Sequence, residues 1–202
     1  MGAGTEPAST RRSSKPQPIR DRIVRGAADL VRERGVHGVG LREIVAHAGV
    51  SRGFLQRYFP GGKTQLIVEA LDVAGSEVLD ETESGLATAA TLADAIETIF
   101  APWRRVLLES NFTMGCPIAA TVIDASRDDV LRQHAGALLD QWRDSVRAAL
   151  VRYGAQGPTA EDDASVLLAA LEGALILSRA NRSIQPLDTV QRFFIASLTP
   201  TG

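Results

Sequence analysis

Apolar side chains recur every three or four residues along almost the whole chain after Ile19, and this spacing constrains the fold more than any other feature of the sequence. A helix places residues three or four positions apart on one face. The pattern is clear in the first predicted helix, whose apolar face carries Ile23, Ala27, Leu30 and Val31. Val and Ile do not alternate with polar residues between hairpin turns, so no sheet is expected. The spacing therefore predicts an all-α protein with about nine helices.

Glycine and proline residues divide this pattern into segments, because both are poor helix formers. Gly35 is expected to end the first helix, and Ser51 is expected to cap the third by accepting a hydrogen bond from a first-turn amide. The helices predicted after the first cover residues 41–48, 51–59, 63–83, 92–110, 117–126, 128–153, 159 or 161 to 180, and 186 or 187 to 198.

The N-terminal residues and the apolar runs bear on the location of the protein. Residues 1–18 are rich in Ser, Pro, Gly and Arg and lack apolar periodicity, so they are predicted to be a disordered arm and not a secretory signal. The longest apolar run, residues 166–177, is shorter than the roughly 20 residues that a membrane helix needs. The single cysteine, Cys116, excludes an intrachain disulfide and fits a reducing compartment. These features predict a soluble, cytoplasmic protein with no membrane partner.

The net charge of −2 conceals an uneven distribution. Residues 1–70 contain 12 of the 22 Lys and Arg residues and 6 of the 24 Asp and Glu residues, which gives this part a charge of +6 and the remainder −8. A basic front segment joined to an acidic body indicates that the front binds a polyanion. Unevenly distributed solvated charge would give the same count, so charge alone does not settle the function.

Residues 41–59 have the pattern of a helix-turn-helix, in which two short helices are locked around a tight turn. Gly49 supplies the residue that tolerates a positive φ at the turn, and Val50 closes the corner. The small core shared by the two helices is expected to contain Ile44, Val45, Leu55 and Phe59. The second helix is then free to enter the major groove of DNA.

The stretch RDRIVRGAADLVRERGVHGVGLREIVAHAGVSRGFLQRYFPGGKTQLIVEAL resembles the DNA-binding domain of the TetR family of repressors. The resemblance covers residues 20–71 without interruption, including the AGVS turn and the Phe-Pro-Gly-Gly-Lys junction. It implies a homodimeric repressor with a helix-turn-helix domain over residues 19–64 and a ligand-sensing and dimerisation domain over residues 65–202. The implied partners are a double-stranded DNA operator and a small-molecule effector, with no cofactor.

The resemblance also implies roles for individual residues. Arg42 and Lys63 would hold phosphates, Lys63 together with the free amides that begin the fourth helix. Arg52 would contact a phosphate or a guanine edge, and Gln56, where the family usually has tyrosine, would read adenine. Phe54 would either touch a thymine methyl group or pack in the core. The expected DNA-binding residues are Arg42, Ser51, Arg52, Gly53, Phe54, Gln56, Arg57, Tyr58 and Lys63.

A second group of residues could line a cavity for the small molecule, because large apolar side chains with a few polar groups suit a ligand pocket. The same side chains could equally form the core. Glu172 is conspicuous, because an ionised carboxylate is costly inside an apolar helix, and it would meet the ligand or pair with Arg179 or Arg182 across a dimer. The predicted lining residues are Phe100, Trp103, Leu107, Phe112, Met114, Cys116, Ile118, Val122, Trp142 and Leu171.

The two C-terminal helices are too apolar to face only solvent. Residues 166–177 are apolar nearly all round, so this helix must be buried on several sides. It could be an internal core helix, but the resemblance implies that the last two helices pair with those of a second copy. Two-fold pairing would set two recognition helices on successive major grooves of a palindromic operator. The expected interface residues are Leu167, Ala170, Gly173, Ala174, Leu177, Phe193 and Phe194.

Two further stretches, GCPIAAT and LEGALILSRANRS, resemble one branch of the TetR family, that of regulators similar to those that respond to lincomycin-type drugs and flavonoids. This resemblance implies a hydrophobic effector and control of an exporter or a detoxifying enzyme. Cys116, within the first stretch, would be a redox sensor if its thiolate were stabilised and exposed, and otherwise a buried apolar cysteine.

The sequence does not favour an enzyme. The three histidines are isolated, and neither a glycine-rich nucleotide loop nor a Gly-x-Ser-x-Gly elbow is present. No metal site is therefore expected. A scaffold that has lost DNA binding, or an activator in place of a repressor, remains an alternative, since the sign of regulation depends on the position of the operator.

Overall fold

The computed structural model describes residues 18–125, 127–154 and 157–198, so the predicted N-terminal arm, apart from Pro18, lies outside the described residues. Within these ranges the chain forms nine helices and no strands, which confirms the predicted all-α fold. None of these helices is long and apolar enough to cross a membrane. The helices are α1 (Ile19–Arg34), α2 (Leu41–His47), α3 (Gly53–Tyr58), α4 (Gly62–Leu86), α5 (Leu92–Glu109), α6 (Pro117–Asp124), α7 (Asp129–Arg152), α8 (Gly157–Asn181) and α9 (Gln185–Leu198).

Most helices begin and end within a few residues of the predicted positions, because glycine, proline and side-chain caps set their ends. Gly35 ends α1 as predicted. Thr91 caps α5 by accepting a hydrogen bond from the Asp94 amide at 3.1 Å, and Asp128 caps α7 through its carboxylate. α5 continues through Pro102, which is buried.

The predicted cap of α3 is wrong. α3 begins at Gly53, its N-cap residue is Arg52, and no side-chain hydrogen bond caps it. The backbone carbonyl of Ser51 instead accepts a hydrogen bond from the Phe54 amide at 3.2 Å. The turn after Gly49 therefore runs further than the sequence pattern indicated, and it leaves Ser51 exposed ahead of the helix.

α4 contributes to two hydrophobic cores. Leu66, Ala70 and Ala74 pack with α1, α2 and α3 in the smaller core. Ile67 and Leu71, on the adjacent face of the same helix, belong to the larger core formed with α5–α9. Because close-packed interiors transmit displacements, a shift of α4 is felt in both cores.

The last turn of α1 is joined to the larger group of helices through its carbonyl groups. A helix leaves its last four carbonyls without partners inside the helix. The Gly115 amide donates to the carbonyl of Arg32 at 3.1 Å, and the Arg179 guanidinium donates to the carbonyl of Glu33 at 3.2 Å. These bonds fix the helix-turn-helix relative to α6 and α8.

A network of polar side chains joins α9 to α5. Arg104 donates from Nη2 to Asp188 at 2.7 Å and from Nη1 to Glu97 at 3.0 Å. The buried amide of Gln191 bonds both Arg104 and Glu97. The network fixes the rotation of α9, and in this orientation Phe193 is 62% exposed.

Gly35→Ala should destabilise the protein at the end of α1. Gly35 has φ 71° and ψ 177°, and a non-glycine residue in such a sparsely populated conformation costs about 1–3 kcal/mol. An added Cβ would also collide with the Asp124 carboxylate on α6. Urea denaturation should show a loss of about 2 kcal/mol in the free energy of unfolding.

Gly136→Ala is the matched control for this substitution. Gly136 lies inside α7, and nothing stands within 4 Å of an added Cβ. Alanine is the better helix former, so this variant should gain up to about 1 kcal/mol. Equal destabilisation of the two variants would contradict the constraint at Gly35.

Candidate nucleic-acid interface and ligand cavity

Backbone and side-chain hydrogen bonds hold the turn between α2 and α3. Gly49 has φ 63°, the left-handed conformation that the sequence predicted for the turn. Arg22 of α1 donates to the carbonyl of Gly49 at 3.0 Å and also to the carbonyl of Ala48. The Val50 amide donates to the carbonyl of Val45 at 3.1 Å. These bonds give α3 a fixed orientation on α1.

α3 presents one exposed polar face. Leu55 and Phe59 are buried in the smaller core, as predicted. Phe54 and Tyr58 are half-buried against the same core, and their rings stack with centroids 6.0 Å apart. The exposed members of the predicted DNA-binding set are Arg42, Ser51, Arg52, Gly53, Gln56 and Arg57.

The arginines of this face are not neutralised by the protein. Several arginines elsewhere pair with carboxylates, as Arg20 does with Glu69 at 2.6 Å. Among the described residues, no carboxylate oxygen lies within 4.0 Å of a guanidinium nitrogen of Arg42, Arg52 or Arg57. Three exposed arginines that have no carboxylate partner, all within the helix-turn-helix, are suited to the phosphates of a nucleic acid.

Lys63, which was predicted to hold a phosphate, has a partner within the protein. It is half-buried at the start of α4, and its Nζ donates to the carbonyl of Val36 at 2.6 Å. The Gly61 amide just before α4 donates to Gln65 Oε1 at 2.8 Å, so one amide at this helix end is already bonded. Lys63 thus joins the loop after α1 to α4, and its phosphate contact stays a prediction.

A cavity of about 480 Å³ lies between the last turn of α1 and helices α6, α7 and α8. Its size and largely apolar wall are those of a small-molecule site. The apolar wall is formed by Ala119, Ala120, Val122, Leu139, Leu175 and Ile176. Charged side chains that line it are Arg32, Glu33, Arg34, Asp124, Glu172 and Arg179.

Glu172 is the unusual polar group of this cavity. Its Oε1 is buried and accepts no hydrogen bond from the described part of the chain. Burial raises the pKa of Glu172 to about 7, and an interaction with the Cys116 thiol offsets part of that rise. Burial, together with the nearby Glu172 carboxyl, raises the pKa of the Cys116 thiol well above its ordinary value. The thiol is therefore neutral, which favours the buried cysteine over the redox sensor.

The structure distributes the predicted lining residues over several places. Cys116 and Val122 line the cavity. A separate, much narrower cleft against α4 is lined by Trp103, Ile118 and Trp142. The residues that are fully buried in the larger core are Phe100, Leu107 and Leu171. The remaining two, which are half-buried, are Phe112 and Met114.

The cavity residues that the sequence pattern missed lie mainly on α1, α6 and α8. Leu175, Ile176 and Arg179 follow Glu172 at positions i+3, i+4 and i+7, so they share its helix face and could have been identified from that spacing. Residues 32–34 of α1 and Gly35 after it could not have been identified from the sequence, because their place in the cavity wall depends on how the two cores pack together.

α8 and α9 carry an exposed apolar face. Val166 and Ile176, outside the predicted interface set, are each 57% exposed. Among the predicted interface residues, the exposed ones are Leu177 and Phe193, the half-buried ones are Ala170 and Gly173, and those buried within the protomer are Leu167, Ala174 and Phe194. Large apolar side chains exposed on two neighbouring helices are typical of an interaction surface.

Family models match both parts of the chain. Residues 23–70 match the family described as bacterial regulatory proteins, tetR family. Residues 93–193 match the C-terminal domain of LmrA/YxaF-like transcriptional regulators, which on its own spans half of the chain.

Three curated relatives are regulators with a helix-turn-helix. The chain is 36% identical over 186 residues to an uncharacterized HTH-type transcriptional regulator of Mycobacterium tuberculosis, with 87% of this chain and 92% of the relative covered. It is 24% identical over 169 residues to the HTH-type transcriptional regulator LmrA of Bacillus subtilis (83% and 90% covered). It is 25% identical over 198 residues to the HTH-type transcriptional repressor DhaR of a Mycobacterium species (91% and 94% covered).

Solved structures share the same fold. A TetR transcriptional regulator of Chloroflexus aurantiacus superposes with a TM-score of 0.72 at 28% identity, with 89% of this chain and 94% of that chain covered. A TetR transcriptional regulator of Legionella pneumophila superposes with a TM-score of 0.84 at 15% identity, with 92% and 100% covered, and shows the fold alone.

Glu172→Gln should stabilise the protein at neutral and alkaline pH. The folded pKa of about 7 lies above the ordinary value of 4.5, so the folded state binds this proton more tightly than the unfolded state. The wild type therefore loses stability as the pH rises from 4.5 to about 7, and the loss is complete above that range. The variant cannot ionise, so relative to the wild type it should gain about 3 kcal/mol between pH 4 and pH 8.

Chemical denaturation of both proteins across this pH range measures the difference. Glu161→Gln is the control, since Glu161 is an exposed carboxylate on the same helix. If the free energies of unfolding of wild type and Glu172→Gln differ by the same amount at every pH, the raised pKa of Glu172 is contradicted.

Proposed function

The chain belongs to the TetR family of bacterial transcriptional regulators, and on that premise we propose that it is a repressor that binds a palindromic operator as a homodimer and is released by a small, largely apolar effector. The observation that carries the proposal is the double role of α1, which packs on α2 and α3 and also forms one wall of the cavity. A ligand in the cavity therefore touches the helix that supports the DNA-binding surface. A relative is named a repressor, which favours repression over activation.

α3 is the recognition helix of the proposed repressor. Arg52 and Gln56, on its exposed face, contact base edges in the major groove, and Arg42 and Arg57 contact phosphates. The half-buried ring of Tyr58 supports Arg57, whose guanidinium lies 5.8 Å from the ring centroid. Each phosphate contact releases counterions, so the affinity for DNA falls steeply with salt.

The exposed face of α8 and α9 pairs two copies of the chain. Leu177 and Phe193 leave a large apolar area in water when the protomer is alone. Nothing lies within 4 Å of a Cβ added at Gly173, so a second helix can approach closely there. Pairing about a two-fold axis sets the two recognition helices roughly 34 Å apart, which matches successive major grooves and a palindromic operator.

Release of the operator works through the end of α1. Arg179 lies in the cavity wall and donates to the carbonyls of Glu33 at 3.2 Å and Thr113 at 2.9 Å. A ligand that moves this guanidinium removes a bond that positions the last turn of α1. The ligand has to bind the DNA-incompetent conformation more tightly than the competent one, because equal affinity shifts no population.

Arg52→Ala should weaken operator binding by about 1–3 kcal/mol if Arg52 reads a base. Footprinting of the region upstream of the chain's own gene, with a panel of small molecules scored for release, identifies the operator and tests the proposal as a whole. Fluorescence anisotropy on that duplex at low salt then measures the affinity of the variant.

Arg147→Ala is the control, because it removes an exposed cation from α7. Its affinity for the operator should stay close to that of the wild type. Weakening of Arg52→Ala to the same extent on all duplexes would assign Arg52 to the phosphate backbone. Unchanged binding by Arg52→Ala would contradict the assignment of α3 as the recognition helix.

Phe193→Glu should convert the dimer into monomers, because it places a charge in the centre of the apolar face. Operator binding should fall with dimerisation, while the helical circular dichroism signal stays that of the wild type. Leu108→Glu is the matched control, since Leu108 is 53% exposed on α5, outside this face. Sedimentation velocity distinguishes the two, and a dimeric Phe193→Glu protein would contradict the proposed interface.

A further inference from the structure

The cations around the cavity have partners, whereas one buried acceptor has none. Arg32 and Arg34 lie 3.6 and 3.0 Å from carboxylates of α4 and α2. Arg179 donates to backbone carbonyls. Glu172 Oε1, on the same face of α8, accepts no hydrogen bond from the described residues. The buried polar atom of this wall that lacks a partner among the described residues is therefore a carboxyl oxygen of Glu172.

A buried carboxyl without a strong donor is costly, and the surroundings of Glu172 do not remove that cost. Its neighbour is the Cys116 thiol, which is a weak donor. The adjoining wall is apolar, with Val122 on α6, Leu139 on α7 and Ile176 on α8. Glu172 is one of the residues that line the cavity, and the cavity volume of about 480 Å³ admits a small organic molecule that could bring a donor to its carboxyl group.

We infer that the effector is an organic cation whose protonated amine forms a charge-assisted hydrogen bond with Glu172 and whose apolar body lies against Val122, Leu139 and Ile176. This inference rests on the proposed effector cavity, and it makes Glu172 the residue that determines ligand specificity. An ammonium group is preferred over a neutral donor because it also brings the opposite charge that a desolvated carboxylate needs.

The proton on Glu172 gives this recognition a characteristic pH dependence. The charged and titratable groups that line the cavity together with Glu172 are Arg32, Glu33 and Arg34 of α1, Cys116 before α6, Asp124 of α6 and Arg179 of α8. With a pKa of about 7, Glu172 is mostly protonated at pH 6 and mostly ionised at pH 8. A cation binds only the ionised form, so its apparent affinity rises about tenfold between these pH values. A neutral hydrogen-bond acceptor binds the protonated form and shows the reverse trend.

A matched pair of probes tests the inference. Calorimetric titration of the full chain, without DNA, compares 2-(naphthalen-1-yl)ethylamine with the neutral isostere 2-(naphthalen-1-yl)ethanol at pH 6 and pH 8. At pH 8 the amine should bind about tenfold more tightly than the alcohol, and Glu172→Gln should abolish that preference while the alcohol binds as before. Glu161→Gln, which removes an exposed carboxylate from the same helix, should retain the preference.

Three results would overturn the inference. The first is that the amine and the alcohol bind with equal affinity, or that neither binds. The second is that Glu172→Gln still binds the amine more tightly than the alcohol. The third is that Glu172→Gln forms a weaker dimer than the wild type in sedimentation velocity. The last result would assign the carboxyl to pairing with a second copy of the chain. Because the titration contains no DNA, its outcome is independent of operator binding. A neutral compound that releases the operator equally from wild type and Glu172→Gln would support the proposed repressor and contradict only the inference that its effector is a cation.

Discussion

The arrangement of the whole chain depends on the carbonyl groups at the end of α1. The carbonyls of Arg32, Glu33 and Val36 accept hydrogen bonds from the loop before α6, from α8 and from the start of α4. Leaving one such group buried and unpaired costs about 1–3 kcal/mol. The DNA-binding surface therefore has a preferred position relative to the cavity, and any change in the cavity wall that moves a donor alters that position.

The helices were predictable from the sequence because their ends are set locally. Gly35 and Gly49 take positive φ values where the pattern required a stop and a turn. The roles of the helix faces were less predictable, most clearly in α8. Its near-uniform apolar composition gives no preferred face, so Leu167 and Ala174 proved to be buried within the protomer whereas Leu177 is exposed. Only the packing of the neighbouring helices decides which side of such a helix meets solvent.

The two candidate sites also differ in how far the sequence alone could predict them. The DNA-binding surface is one continuous segment, so Arg52 and Gln56 could be placed on its exposed side from spacing alone. Lys63 is the exception, since its partner is a carbonyl of the loop after α1. The cavity is assembled from segments far apart in the chain. Large aromatic residues predicted to line the cavity lie in the core instead, where Phe100 is fully buried, while the cavity wall is made of small, aliphatic and charged side chains.

The energetics of the proposed release show what the two parts of the inferred effector would contribute. Moving a population from mostly operator-competent to mostly incompetent requires about 5.5 kcal/mol of differential binding. One charge-assisted hydrogen bond to Glu172 that forms only in the incompetent conformation contributes about 1.5–3 kcal/mol. The remaining roughly 3 kcal/mol corresponds to about 120 Å² of apolar surface that is buried in only one of the two conformations. The last turn of α1 is the wall whose displacement changes that area. The charge therefore selects the ligand, and the charge and the apolar body together determine how far the operator is released.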